Sequence, residues 1–194
     1  MQFADPPPFA AFQHRGARDG FEVVFFAAAG GERIRVDGST AAVEDGEAWS
    51  VGYSIELDRQ WRTRRATVRG RAQGGEREIA IDADGAGRWK VDGEEVPALD
   101  ECLDLDLESS SLTNAFPMRR LSLEVGQSAQ APAAYVRALD LRVERLEQSY
   151  ERLPDGTGGA RFDYASPRFG FRGELEYDAS GLVIEYPGIA IRTA

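Results

Sequence analysis

LDECLDLDLESSSLTNAFPMRRL, residues 99 to 121, carries more structural information than any other stretch of the chain. Leu103, Leu105 and Leu107 alternate with Asp104 and Asp106, the period of a half-buried strand with its acids on the solvated face. Ser109, Ser110, Ser111, Thr113 and Asn114 then favour a loop, because their side chains compete for nearby backbone groups. Pro117 holds its predecessor extended, and a second strand is expected with Leu121, Leu123 and Val125 on one face. Counting back by twos puts Arg119 on that apolar face and Arg120 on the other. Arg120 is therefore the expected cross-strand partner of Asp104 or Asp106, a surface pair worth about 0.2–1 kcal/mol. A guanidinium aimed at an apolar interior needs an anionic or polyhydroxyl partner. For Arg119 the plain reading is an internal salt bridge and the sharper one is contact with a ligand.

Outward from this block the pattern is antiparallel β. Turn signals recur at Asp37-Gly38, Asp45-Gly46, Asp84-Gly85, Asp92-Gly93, Asp155-Gly156 and Ser180-Gly181, with short alternating runs between them. Trp49, Val51, Tyr53, Ile55 and Leu57 alternate strictly. Ile79 and Ile81 lead through Asp84-Gly85 to Trp89 and Val91, a hairpin. Phe169, Phe171, Leu175 and Tyr177 share one strand face, backed by Arg168, Arg172, Glu174 and Glu176. Leu182–Tyr186 and Gly188–Arg192 read as closing strands. One segment is ambiguous: Val136, Leu139, Val143, Leu146, Tyr150 and Leu153 recur at helical steps, yet Leu139, Leu141 and Val143 also alternate. Residues 136–153 stay open between helix and strand on this ground.

A chain of 194 residues makes one domain, 1–194, able to bury roughly 70% of its unfolded surface. Residues 1–10, rich in proline, are expected to be flexible. The net charge of −10 argues against nucleic acid, where neutralisation of phosphates dominates affinity, and against anionic membrane surfaces. Arginine makes up all but Lys90 of the 23 basic residues, which lowers the weight of any single arginine. Cys102 stands alone, so neither an intrachain disulfide nor a thiolate metal site is expected, and no metal or cofactor is called for. The start lacks a secretory pattern and no run reaches 18 apolar residues. Stable membrane insertion is not expected and the expected location is cytoplasmic.

Three further segments belong with the 99–121 block. They are Tyr53-Ser-Ile-Glu-Leu-Asp58-Arg-Gln-Trp61-Arg-Thr63-Arg64, Gln148-Ser-Tyr150, and Gly181-Leu182-Val183 through Tyr186-Pro187-Gly188 with Arg192. In this order they resemble the bacterial "putative glycolipid-binding" family, from about Phe21 to Arg192. The resemblance implies an all-β fold: a single, mainly antiparallel sheet rolled on itself as a spiral β-roll, shaped like the half-barrels of lipoprotein carriers. It also tips 136–153 towards strand. The glycolipid label rests on likeness in shape, which is analogy and not a site, and the family offers no catalytic residues to carry over.

Inward-facing Trp49, Tyr53, Phe169, Phe171 and Tyr177 would fill a core or line a cavity. In a cavity, each methylene of a buried acyl chain would contribute about 0.8 kcal/mol. A sugar head group would need donors and acceptors beside an aromatic ring. Tyr53, Asp58, Trp61, Arg64, Thr113, Asn114, Arg119 and Tyr150 are the expected ligand-binding residues, with Arg64 and Arg119 as anchors for an anionic group. The plain alternative is an Asp58–Arg64 pair closing the turn before Trp61. His14, the only histidine, reads as a surface residue, and no G-x-S-x-G elbow occurs. Asp104 and Asp106, beside arginines, should have lowered pKa values, which suits structure better than acid catalysis. The expected function is therefore non-enzymatic binding of a glycolipid or other amphipathic lipid inside the roll. A closed-core protein-interaction or scaffold domain is the alternative, and a hydrolase on a glycosyl or acyl substrate is the third. Ligand identity and oligomeric state are not readable.

Overall fold

The computed structural model describes residues 3–30 and 32–194. Met1 and Gln2, part of the N-terminal stretch expected to be flexible, lie outside the described residues. Within that stretch the Ala4 N–H donates to the Ala179 carbonyl (2.9 Å), and Phe9 and Ala10 already belong to a strand.

Two meanders form one sheet. The first runs through β1 (Phe9–His14), β2 (Asp19–Ala28), β3 (Ile34–Glu44), β4 (Glu47–Leu57), β5 (Thr63–Ala72), β6 (Gly75–Ala83), β7 (Trp89–Val91) and β8 (Glu94–Glu95). After an inner segment containing β9 (Asp104–Leu107), α1 (Ala115–Leu121), β10 (Ser128–Gln130), β11 (Ala133–Val136) and β12 (Val143–Leu146), the second runs through β13 (Ser149–Leu153), β14 (Ala160–Ser166), β15 (Phe171–Tyr177), β16 (Val183–Tyr186) and β17 (Ala190–Arg192). Antiparallel pairing of β17 with β1, Phe12 opposite Arg192, joins the two meanders. Among the described residues this gives fourteen strands in the order β10-β13-β14-β15-β16-β17-β1-β2-β3-β4-β5-β6-β7-β8. The sheet is all antiparallel, rolled on itself and not closed, as expected.

β4 shows why the roll has an inside: Trp49, Val51, Tyr53, Ile55 and Leu57 are buried and the residues between them are not. Asp45-Gly46 turns the chain between β3 and β4, with both residues at positive φ. Asp37-Gly38 does not form the expected turn and lies in mid-strand in β3. Gly38 is opposite Tyr53, and a Cβ there would come within 2.1 Å of the Tyr53 ring. The glycine therefore makes room for a side chain and does not serve chain reversal.

A second, three-stranded sheet, β12-β11-β9, has β11 parallel to β9. Every residue of β9 and β11 is buried. This corrects the reading of Asp104 and Asp106 as solvated: β9 is covered on both faces, so alternation of acid and leucine marks no solvent side here. The inner segment spans the concave side of the roll. Trp89 Nε1 donates to the Cys102 carbonyl (2.8 Å), Leu105 N–H to Thr63 Oγ1 (2.9 Å), and the Trp61 and Phe116 rings lie 6.2 Å apart. Leu105, Leu107, Leu112, Phe116 and Met118 belong to the same core as Val51, Ile55, Phe162 and Tyr177.

The strand expected after Pro117 is instead α1. Pro117 is its third residue, inside the first turn, where a missing N–H breaks no helical hydrogen bond. The helix ends at Ser122 in a left-handed conformation. Residues 136–153 resolve as strand: Val136 ends β11, a turn follows at residues 138–140, and β12 and β13 come after it. Phe169 leaves the face expected for it: it closes a 3-10 turn, Pro167–Phe169, and is 47% exposed.

Candidate functional site

The inner segment, β14–β16 and the β1–β2 connection leave a cleft of about 170 Å³ between them. Its polar wall comes from Arg18, Asp106, Ser110, Asn114, Tyr164 and Tyr186. Phe169, Phe171 and Ile189 form its apolar rim. The aromatic residues are packed together: Phe171 lies 5.8 Å from Tyr164 and 5.6 Å from Tyr186, ring centre to ring centre.

Asp106 is the chemical centre of this wall. Thr113 Oγ1 donates to its Oδ1 at 2.7 Å, and burial pushes its carboxyl up to about 6, against that hydrogen bond and with help from the charges of Asp104 and Glu108. Two residues earlier on the same strand, Asp104 accepts from Arg120 Nε (3.1 Å) and Nη2 (2.5 Å). Burial raises Asp104 as well, but Arg120 pulls it back. The lowered pKa values expected for both acids are therefore corrected, because desolvation disfavours the charged form. The expected Arg120–Asp104 pair does form, reached from a helix and buried.

A second polar network lies behind Ser110. Tyr53 Oη donates to Glu22 Oε1 (2.7 Å) and sits 3.2 Å from Ser110 Oγ, while the Ser111 N–H donates to Glu22 Oε2 (2.9 Å). Glu22 is fully buried and burial raises its carboxyl. His14 Nε2 is 3.8 Å from Glu22 Oε2. His14 is 1% exposed, which corrects its reading as a surface residue; burial and then Arg18 lower it to about 4, leaving a neutral imidazole at pH 7.

The expected binding residues divide between two ends of the inner segment. Asn114 lines the cleft. Thr113 holds Asp106, Tyr150 Oη donates to Asn114 Oδ1 (2.9 Å), and Tyr53 bonds Ser110, so these three act one step behind the wall. Burial keeps Tyr150, Tyr177 and Tyr186 well above the ordinary phenol range, so they remain neutral donors. Asp58, Trp61, Arg64 and Arg119 lie elsewhere. Asp58 Oδ1 accepts from the Gln60 and Arg62 N–H groups (2.9 and 3.0 Å), closing the turn that holds Trp61 at φ +63°. Arg64 stands 3.8 Å from Asp58, the plain pairing. Arg119 does not face an apolar interior. It stacks on Trp61 at 4.0 Å and donates to the Ser180 and Ala4 carbonyls.

Arg18, Glu22, Ser110, Tyr164 and Tyr186 are not among the binding residues expected from sequence. For Glu22 a signal existed: Glu22 and Val24 alternate with exposed Phe21 and Phe25 in β2, and a carboxylate in register with a buried valine is itself a flag. Arg18 carried no such signal, being one arginine among many in a short connection.

The family model described as "putative glycolipid-binding" matches residues 13–192. The chain belongs to this family. Among solved structures, a DUF1089 family protein from Pseudomonas aeruginosa is 32% identical, with a TM-score of 0.74 over 88% of this chain and 90% of that one. A beta-barrel-like protein of the domain of unknown function DUF1849 from Brucella abortus is 9% identical, with a TM-score of 0.53 over 97% of this chain and 95% of that one, a likeness of fold alone. No curated protein matches the chain in sequence. Among the described residues no helix is long and apolar enough to cross a membrane.

Proposed function

We propose that this protein binds the polar head group of a glycolipid or other amphipathic lipid in the cleft around Asp106, without a catalytic step. One observation carries the reading: carboxyl, amide, phenol and guanidinium groups converge on an opening whose rim is aromatic and aliphatic. Sugars are held by such mixtures of hydrogen-bonding groups beside ring faces. At about 170 Å³ the cleft is well below the roughly 300–1,000 Å³ of a drug-sized pocket. It fits one ring or head group, while the acyl chain leaves across Phe169, Phe171 and Ile189. This differs from a chain buried deep in the roll, because Leu105, Leu107, Leu112 and Phe116 fill that space. Each methylene covered at the rim contributes about 0.8 kcal/mol. The neutral, enclosed His14, with Glu22 already committed to Tyr53 and Ser111, supports binding over hydrolysis.

A protein-interaction role has one observation of its own. Phe9 and Phe25 are cross-strand partners on the outer face, and with Phe21 and Val43 each is 46–56% exposed. Native mass spectrometry with organic extraction separates the two readings. Gently purified protein should carry a mass that extraction removes and that matches a lipid, and Ile189→Trp, which fills the half-buried rim, should abolish it. A clean apo mass that persists after incubation with lipid mixtures would overturn the proposal and move the weight to the outer face.

A further inference from the structure

The wall of the cleft holds a cation two of whose nitrogens have no hydrogen bond among the described residues. Arg18 is 8% exposed, yet its Nε and Nη1 have no hydrogen-bond partner among the described residues. Glu44 Oε2 stands 3.8 Å from its Nη1, beyond hydrogen-bond reach. The guanidinium lies over the Trp49 ring at 5.3 Å and borders the cleft. A buried donor left unmade costs about 1–3 kcal/mol, more when charged, so native structures leave one open only for a reason.

The neighbourhood repeats the pattern. Trp49 Nε1, Thr40 Oγ1 and Ser111 Oγ are buried and unpartnered among the described residues. Trp49 lies beneath Arg18, Thr40 pairs across the sheet with Glu22, and the Ser111 backbone bonds Glu22. All of these groups can donate. Neither lining carboxylate pairs with Arg18 among the described residues: Glu108 is held by Arg137 Nε (3.2 Å) and the Ala138 N–H (2.8 Å), and Asp106 accepts from Thr113.

We infer that the head group taken by this cleft carries a negative charge, a carboxylate or phosphate, which docks on Arg18. This rests on the cleft being the lipid head-group site. Guanidinium matches both anions through paired N–H groups, and completing those bonds favours a charged head group over its neutral analogue by about tenfold or more.

Calorimetric titration of the full chain with octyl β-D-glucuronide and octyl β-D-glucoside, which differ in one carboxylate, tests it. The glucuronide should bind about tenfold tighter to the wild type, a ratio that needs no variant. Arg18→Gln should bring the two ligands level, and Arg18→Lys should restore part of the preference. Free glucuronate and inorganic phosphate should bind more weakly than octyl glucuronide. Equal binding of the two octyl glycosides would overturn the inference while leaving the head-group reading intact. Binding of neither would overturn that reading too. Inorganic phosphate binding as tightly as the glucuronide would overturn the lipid as the source of the anion.

Discussion

Each end of the inner segment borders an arginine stacked on a tryptophan, and the two ends differ. At one, Arg119 lies on Trp61 and gives both terminal nitrogens to carbonyls, leaving its Nε without a partner among the described residues, while Arg120 grips the buried Asp104. At the other, Arg18 lies on Trp49 with Nε and Nη1 unbonded among the described residues, and Asp106 has a hydroxyl where Asp104 has a guanidinium. The first end fastens helix α1 to the roll. The second keeps polar groups open towards a cleft, which costs stability and is the usual mark of a binding surface. On the proposed reading, the same residue types serve structure where most of their hydrogen bonds are completed internally, and recognition where fewer are.

If that contrast is right, Arg120→Ala is the most damaging change. It leaves the buried Asp104 carboxylate without its cation, and urea unfolding should register a loss of about 3–5 kcal/mol. Asp106→Asn should act in the opposite sense. The wild-type carboxyl titrates near 6 when folded and near 3.9 when unfolded, so the folded state binds more protons between those values. Wild-type stability from this group rises as pH falls through 6 and is diminished above it. Asparagine keeps an acceptor for Thr113 and removes the buried charge. At pH 7.5 the variant should be more stable by about 1–3 kcal/mol, an advantage that shrinks as pH falls and vanishes near 3.9. A variant less stable than wild type at pH 7.5 would mean Asp106 has a compensating cation.

Arg119→Ala removes a cation–π contact and two partly exposed hydrogen bonds, and thermal or urea melts should show a loss of about 1–2 kcal/mol. Octyl glucuronide affinity should not change. Arg18→Gln should have the smallest effect on stability, within about 1 kcal/mol, because the stacking lost is offset by relief of an unbonded buried charge. A loss near that of Arg120→Ala would erase the distinction between the two ends.

Much of the roll was legible in the sequence. Alternation in β4 and the turns at Asp45-Gly46 and Asp84-Gly85 report a sheet with one covered face, and they hold because the chain neighbours there are also spatial neighbours. The inner segment was legible only in part. β9 is visible as a strand, but not the fact that a second sheet and the roll enclose both its faces, so by sequence its acids read as solvated. Pro117 reads in the sequence as a mark of extended chain, although a first helical turn tolerates it equally. The Asp37-Gly38 dipeptide looked like a turn because sequence cannot show the Tyr53 ring above the glycine. For the site, Asn114, Thr113, Tyr53 and Tyr150 were found through their segments, whereas Arg18 and Glu22 enter through long-range packing between the two meanders and the inner segment.

A crystal structure of the protein with octyl β-D-glucuronide tests the account most directly. The account predicts the sugar ring in the cleft, within hydrogen-bond reach of Asp106 and Asn114, its carboxylate on Arg18 and its chain leaving over Phe169 and Phe171. A ligand seated instead beside Arg119 and Trp61, or on the outer face over Phe21 and Phe25, would contradict it.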